Sequence, residues 1–205
     1  LGSLTINAYS TLNTNNLDVS IGGNFTKSGT YTHRTNTTFF NGSGTQDITL
    51  NNTTTFNNFT IDKSSGTANL LGTNDATVNK IFSLLNGTFD TKARDLYALE
   101  NVINNATHVS IGAGIIYLNG SSKQTISGNG NGSFANLTIN NLSSIDLVSD
   151  ISINKQLNFQ NGMLYIDHNL LTFTETSPVP TGISSDRFIT TNGVSSDKGI
   201  RKIFT

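Results

Sequence analysis

Cysteine and tryptophan are absent from this chain of 205 residues, proline occurs twice, and methionine once, at Met163. Without cysteine there is no disulfide framework and no thiolate metal site. Charge is sparse too: Asp, Glu, Lys and Arg make up 12% of the residues, with a formal net charge of −1. No basic surplus exists to neutralise a phosphate backbone, so the composition argues against a nucleic-acid partner. No apolar run approaches the ~18 residues of a membrane span, which argues against membrane insertion. Hydrophobic residues are 35%, below the ~45–50% usual for a globular domain. Disordered chains usually add charge or proline to low hydrophobicity, and this one has neither.

What the chain has instead is small polar residues. Thirty Thr, 29 Asn, 22 Ser and 19 Gly account for 100 of the 205 positions. Between them apolar residues alternate in short runs such as Leu4-Thr5-Ile6, Val19-Ser20-Ile21, Phe59-Thr60-Ile61, Leu137-Thr138-Ile139 and Ile151-Ser152-Ile153. Period-two alternation predicts strands. Asn-Gly pairs at 41–42, 86–87, 119–120, 161–162 and 192–193 predict turns, since both residue types tolerate positive φ. Only 90–105, DTKARDLYALENVINN, has the charge and alanine content for a turn of helix or an irregular loop.

Internal repetition carries the most information. FNGSGTQDITLNNTTTFNNFTIDK at 40–63 aligns without a gap on LNGSSKQTISGNGNGSFANLTINN at 118–141. Asn41/Asn119, Gly42/Gly120, Gln46/Gln124, Ile48/Ile126, Phe56/Phe134 and Ile61/Ile139 are among the identities. Val78-Asn79-Lys80 likewise matches Ile153-Asn154-Lys155, and LTINA at 4–8 begins a third copy. The units lie near 4–58, 59–136 and 137–205, the second enlarged by an inserted coil or loop near 90–108. A solenoid accepts such an insertion because each coil touches only its neighbours.

The expected fold is therefore all-β, a right-handed parallel β-helix (β-solenoid) spanning 1–205. The alternative is a set of tandem β-sandwich repeats. In the solenoid Ile, Leu, Val and Phe fill the interior, Phe56, Phe59, Phe134 and Phe159 among them, while Asn side chains form ladders between coils. About nine coils at the ~4.8 Å strand spacing would give a rod roughly 40 Å long. Both ends read as strands, LGSLTIN and KGIRKIFT, so the chain is expected to be a segment of a longer one.

No residues identify a reaction. A polysaccharide-cleaving site would need two or three acids close together. Asp47, Asp62, Asp146 and Asp150 are scattered, one to a strand or turn. His33, His108 and His168 lie far apart, and none sits at metal-ligand spacing from an acid. The turns carry Asn where calcium would favour Asp, so neither catalytic residues, metal ligands nor cofactors are assigned. Thr-x-Thr pairs at 30–32, 53–55, 172–174 and 174–176 lack the strict short period of an ice-binding face. Tyr9, Tyr31, Tyr97, Tyr117 and Tyr165 are the candidates for glycan binding, because the ring can stack while the hydroxyl stays wet.

The stretches VSIGGNFTKSGTYT at 19–32, TTFFNGSGTQDIT at 37–49, FNNFTIDKSSGTANL at 56–70 and INKQLNFQNGMLYIDHNLLTFT at 153–174 resemble the repeats of very large cell-surface proteins of Bacteroidetes. The tail, SSDRFITTNGVSSDKGIRKIF at 184–204, resembles the stretch that follows such repeats. The resemblance implies an extracellular, cell-surface adhesin or stalk exported by type IX secretion, with relatives in attachment and gliding motility. It implies as partners other segments of the same long chain, surface glycans or abiotic surfaces. An alternative is a glycan-binding module or a polysaccharide-active β-helix enzyme. The segment at 90–108 departs from the pattern, and no role for it carries over.

Overall fold

A run such as Ala76-Thr77-Val78 turns two side chains to one side and one to the other, and the first and third are buried. Three-residue strands of this kind recur throughout, separated by Asn-, Gly- and Ser-rich corners. In a computed structural model, which describes residues 1–204, they wind into a three-faced parallel β-helix of about nine turns. Face one starts with Leu4–Ile6, face two with Thr11–Asn13 and face three with Val19–Ile21. The chain then returns to face one at Phe25–Lys27, which pairs in parallel with Leu4–Ile6. The register Leu4↔Phe25↔Ile48 marks two successive circuits of the rod.

Among the described residues every ladder between strands is parallel, and only an isolated bridge between Ser184 and Arg187 runs antiparallel. Tandem β-sandwiches, which are built from antiparallel sheets, are thereby excluded. Among the described residues there is no α-helix. The stretch 90–105 corrects the helical reading. It contains the strands Leu96–Ala98 and Val102–Asn104. Phe89 pairs with His108, so the segment 90–108 makes up a single circuit. The charges that suggested a helix sit in its corners, where Asp90 accepts hydrogen bonds from the Lys92 and Ile111 amides.

The interior is a column of apolar rings and branched chains, and Phe56, Phe59, Phe134 and Phe159 all belong to it. Phe59 is central to its aromatic part. Its ring centroid lies 5.1 Å from Phe40, 4.8 Å from Phe56, 5.7 Å from Phe82 and 5.9 Å from Phe89. The Asn-Gly pairs form corners, not the hairpins that such pairs favour elsewhere. At Gly162 φ is +79°, and a Cβ would lie 1.8 Å from the Asn141 carbonyl oxygen of the preceding coil. Gly42 has no positive φ. It is needed because a Cβ there would meet the Gly22 carbonyl at 2.0 Å.

Side chains tie the coils together at these corners. Asn161 donates to Asn140 Oδ1 at 2.7 Å, and Asn140 donates to Asn119 Oδ1 at 2.5 Å, a ladder three coils deep. A second device recurs just ahead of the strands: a side-chain oxygen accepts the amide at the same position one coil on. Asp18 takes Thr37, Asp75 takes Asp95, Asp95 takes Ile115 and Asp150 takes Leu170. Asn24, Asn58 and Asn101 do the same for Asp47, Ile81 and Thr125.

The repeated sequences keep their local conformation but change face. Phe40 lies on face three, and Phe40↔Ile61↔Leu84↔Asn104 counts three turns along it. Its counterpart Leu118 lies two faces beyond Asn104, on face two. Gln46, on face one, corresponds to Gln124 on face three, and Val78 on face two to Ile153 on face one. The copies at 40–63 and 118–141 are thus separated by three and two-thirds turns, and the copy that begins at Leu4 precedes its counterpart at Phe59 by two and two-thirds.

Candidate functional site

From Thr54–Phe56 onward, face two presents one outward side chain per strand. The outward column reads Thr55, Thr77, Tyr97, Tyr117, Thr138, Asn158 and Thr181. Adjacent strands stand ~4.8 Å apart, so the two tyrosines stack, with centroids 4.8 Å apart and planes 17° from parallel. Their facing surfaces cover each other. The free face of Tyr97 looks toward Thr77 and that of Tyr117 toward Thr138.

A second column runs beside the first and contains Asp75, Asp95, Ile115, Asn136 and Gln156. Asp75 and Asp95 are half-buried and one coil apart. Neither is in an ion pair among the described residues. The nearest cation, Arg94, donates instead to the Thr73 carbonyl at 3.1 Å. Burial, reinforced by the Asp75 charge, raises the pKa of Asp95 against the opposing Ile115 amide, Tyr97 hydroxyl and Arg94 charge. Burial and the same two carboxylates raise the hydroxyls of Tyr97 and Tyr117. Beyond Tyr117 a groove of about 340 Å³ is lined by apolar Ala113, Ile115 and Leu137 and by polar groups from Asn136 to Thr181.

The other tyrosines are elsewhere. Tyr31 is a correction: it is buried, packed against Phe25 and Phe56 at 6.0 Å each. Its hydroxyl meets Thr38 Oγ1 at 2.7 Å and accepts from Asn36 at 3.0 Å. The cause is phase. In Thr30–Thr32 the middle residue points inward, whereas in the later face-two strands it points out. Tyr9 stands fully exposed on a corner at φ +65°. Tyr165 lies on face three beside Asp146, with Lys123 Nζ 4.9 Å from its ring centroid.

The acids weighed for catalysis do not converge. Asp47 is on face one, bonded by Asn69 at 2.8 Å, and Asp62 follows face three, bonded by Asn86 at 2.7 Å. Asp146 on face three pairs with Lys123 at 2.8 Å, and Asp150, ahead of face one, pairs with Lys198 at 2.9 Å. Among the described residues no three His, Asp or Glu side chains gather as a metal would require. His33 and His168 lie apart from His108, which is fully buried between Phe89 and Phe134. It accepts from the Ala135 amide at Nδ1, 3.2 Å, leaving Nε2–H to donate to Thr91 Oγ1 at 3.0 Å. Burial lowers its pKa from 6.5 to about 3.

Sequence reasoning missed the buried polar clamps. Gln124 donates to the Ala98 carbonyl at 3.0 Å and also to that of Glu100. It accepts from the Gly120 amide at 2.8 Å and Asn141 Nδ2 at 2.9 Å. Gln46 repeats the arrangement with Ile21, Gly23 and Gly42, and buried Lys63 takes the place of Asn141. The signal was present: Gln46 and Gln124 are identical in the two repeats, two residues ahead of an inward isoleucine. Lys27 is similarly buried and caps the Thr53 carbonyl at 2.7 Å. Desolvation lowers the pKa values of Lys27 and Lys63.

No protein-family model, curated protein or solved structure matches the chain.

Proposed function

We propose that the chain is a rod segment of a large extracellular bacterial surface protein, serving as a stalk and attachment module. The observation that carries this reading is the uninterrupted parallel stack. About nine coils at ~4.8 Å per coil give a rod about 40 Å long, bonded along its axis by backbone ladders and by side chains at its corners. A solenoid lengthens by adding coils without disturbing those already present, which suits a spacer. The acids support the same reading, since most are engaged in joining one coil to the next.

Outward Thr, Asn and Tyr side chains give face two a polar, weakly charged surface for attachment. Among the described residues no helix is long and apolar enough to cross a membrane. Antibodies raised against the 205-residue protein test the location. Labelling of intact source cells, lost after brief external proteolysis, is expected. Labelling only after cell lysis would overturn the reading.

A further inference from the structure

The column containing Tyr97 and Tyr117 has two unlike ends. Toward Thr77, a small side chain forms the floor of a notch. The free face of the Tyr97 ring is one wall, and Asp75 and Asp95, one coil apart, border it. A ring face is negative and attracts cations. Two carboxylates without a salt-bridge partner add attraction of the same sign, offset in part at Asp95 by the charge of Arg94, whose guanidinium donates to the Thr73 carbonyl. Toward Thr138 the surroundings are mixed: Ile115 and Leu137 give a groove apolar surface for a sugar ring face, and Asn136, Gln156, Asn158 and Thr181 supply its polar groups. The Asn136 and Gln156 amide donors are turned to the Gly114 and Leu157 carbonyls, which leaves their side-chain oxygens to accept from sugar hydroxyls.

We propose that face two binds an amino-sugar glycan, with a protonated amine in the notch beside Tyr97 and neighbouring sugar residues in the groove beyond Tyr117. This rests on the attachment reading and names the class of surface polymer that the rod would hold. The amine alone could equally come from a lysine side chain. The groove on the other side of the tyrosine pair, apolar at Ile115 and Leu137 and polar around them, matches the apolar ring face and hydroxyl edge of a sugar and favours it.

The test is titration of the 205-residue protein with a β-1,4-linked glucosamine tetramer, followed by calorimetry or amide NMR shifts. Parallel titrations use the N-acetylated tetramer and tetralysine. The amine-bearing sugar is expected to bind, and N-acetylation to weaken it by about tenfold, the loss of charge-assisted bonds. Tyr97→Thr is expected to weaken it about fivefold, the size of one exposed cation–π contact. Asp75→Asn combined with Asp95→Asn keeps the oxygens that accept the Asp95 and Ile115 amides, and is expected to weaken binding about tenfold. Equal binding of the acetylated tetramer would overturn the proposal, as would tetralysine binding as tightly with the same response to the variants. Absence of binding would overturn it too, while leaving surface labelling untouched. Binding by a protein found only inside the cell would sink the attachment reading and leave the site standing.

Discussion

Acidification from pH 7 to pH 5 isolates His108. In the folded chain its pKa is about 3 because burial opposes the charged ring. In the unfolded chain the ordinary value of about 6.5 applies. Between these values the unfolded state binds one more proton than the native state, so stability falls as pH falls. The contribution is fully present above about pH 6.5 and continues to be lost down to about pH 3. Each pH unit is worth about 1.4 kcal/mol. At pH 5, some 1.5 units below the unfolded value, the loss is about 2 kcal/mol. Asp90 and Asp150, whose pKa values are lowered, act in a more acidic window, losing their stabilisation only as pH falls below about 4. Asp95, whose pKa is raised, acts in the opposite sense, and a variant removes its effect by subtraction. His108→Gln retains one donor and one acceptor for Thr91 and Ala135. Urea unfolding at pH 7, 6 and 5 should show the native protein losing about 2 kcal/mol more than this variant. Parallel losses would refute the argument, and so would an imidazole NMR signal of His108 titrating near pH 6.5 in the folded protein.

Other changes probe the core and the corners. Phe59→Ala removes the ring at the centre of the aromatic column, and urea denaturation should register a loss of about 3–5 kcal/mol. Gly162→Ala places a Cβ against the Asn141 carbonyl at a residue of positive φ. A clear drop in thermal midpoint is expected, whereas Gly44→Ala, which meets nothing within 4 Å, should leave it unchanged. Gln124→Leu takes the side-chain partner from the Gly120 amide and the Glu100 carbonyl, each worth about 1–3 kcal/mol when buried without a partner, while Asn141 Nδ2 keeps the Ser122 carbonyl and the Ala98 carbonyl keeps the Asn119 amide. Hydrogen exchange should show the corners at 98–100 and 120–124 opening before the rest of the rod.

The class of fold was legible because alternation and corner residues are local. A run such as Leu137-Thr138-Ile139 declares its inward side chains whatever it packs against. The extra circuit at 90–108 was legible in length but not in conformation, since Asp90 and Lys92 look helical until the next coil supplies the Ile111 amide. Tyr31 was misread because the phase of a strand is set by the corner before it. Thr30–Thr32 enters face two one residue out of step with its successors. The Tyr97–Tyr117 stack was half legible. Both residues were candidates, but their adjacency depends on the length of the circuit between them, and the approach of Asp75 to Asp95 depends on the same register. The buried role of Lys63 contradicts its usual exposure and needed the Gln46 corner to explain it.

The displacement of the repeats by two-thirds of a turn bears on how such a rod can vary. Because the same motif fits at corners that belong to different faces, duplication need not preserve rotational phase. Adding one strand and its corner, a third of a circuit, would swing everything downstream onto the next face around the axis. A length change thus doubles as an angular setting. A ladder of side chains like the tyrosine pair could be aimed at a neighbouring surface by indels in corners far from it, with none of its own residues altered.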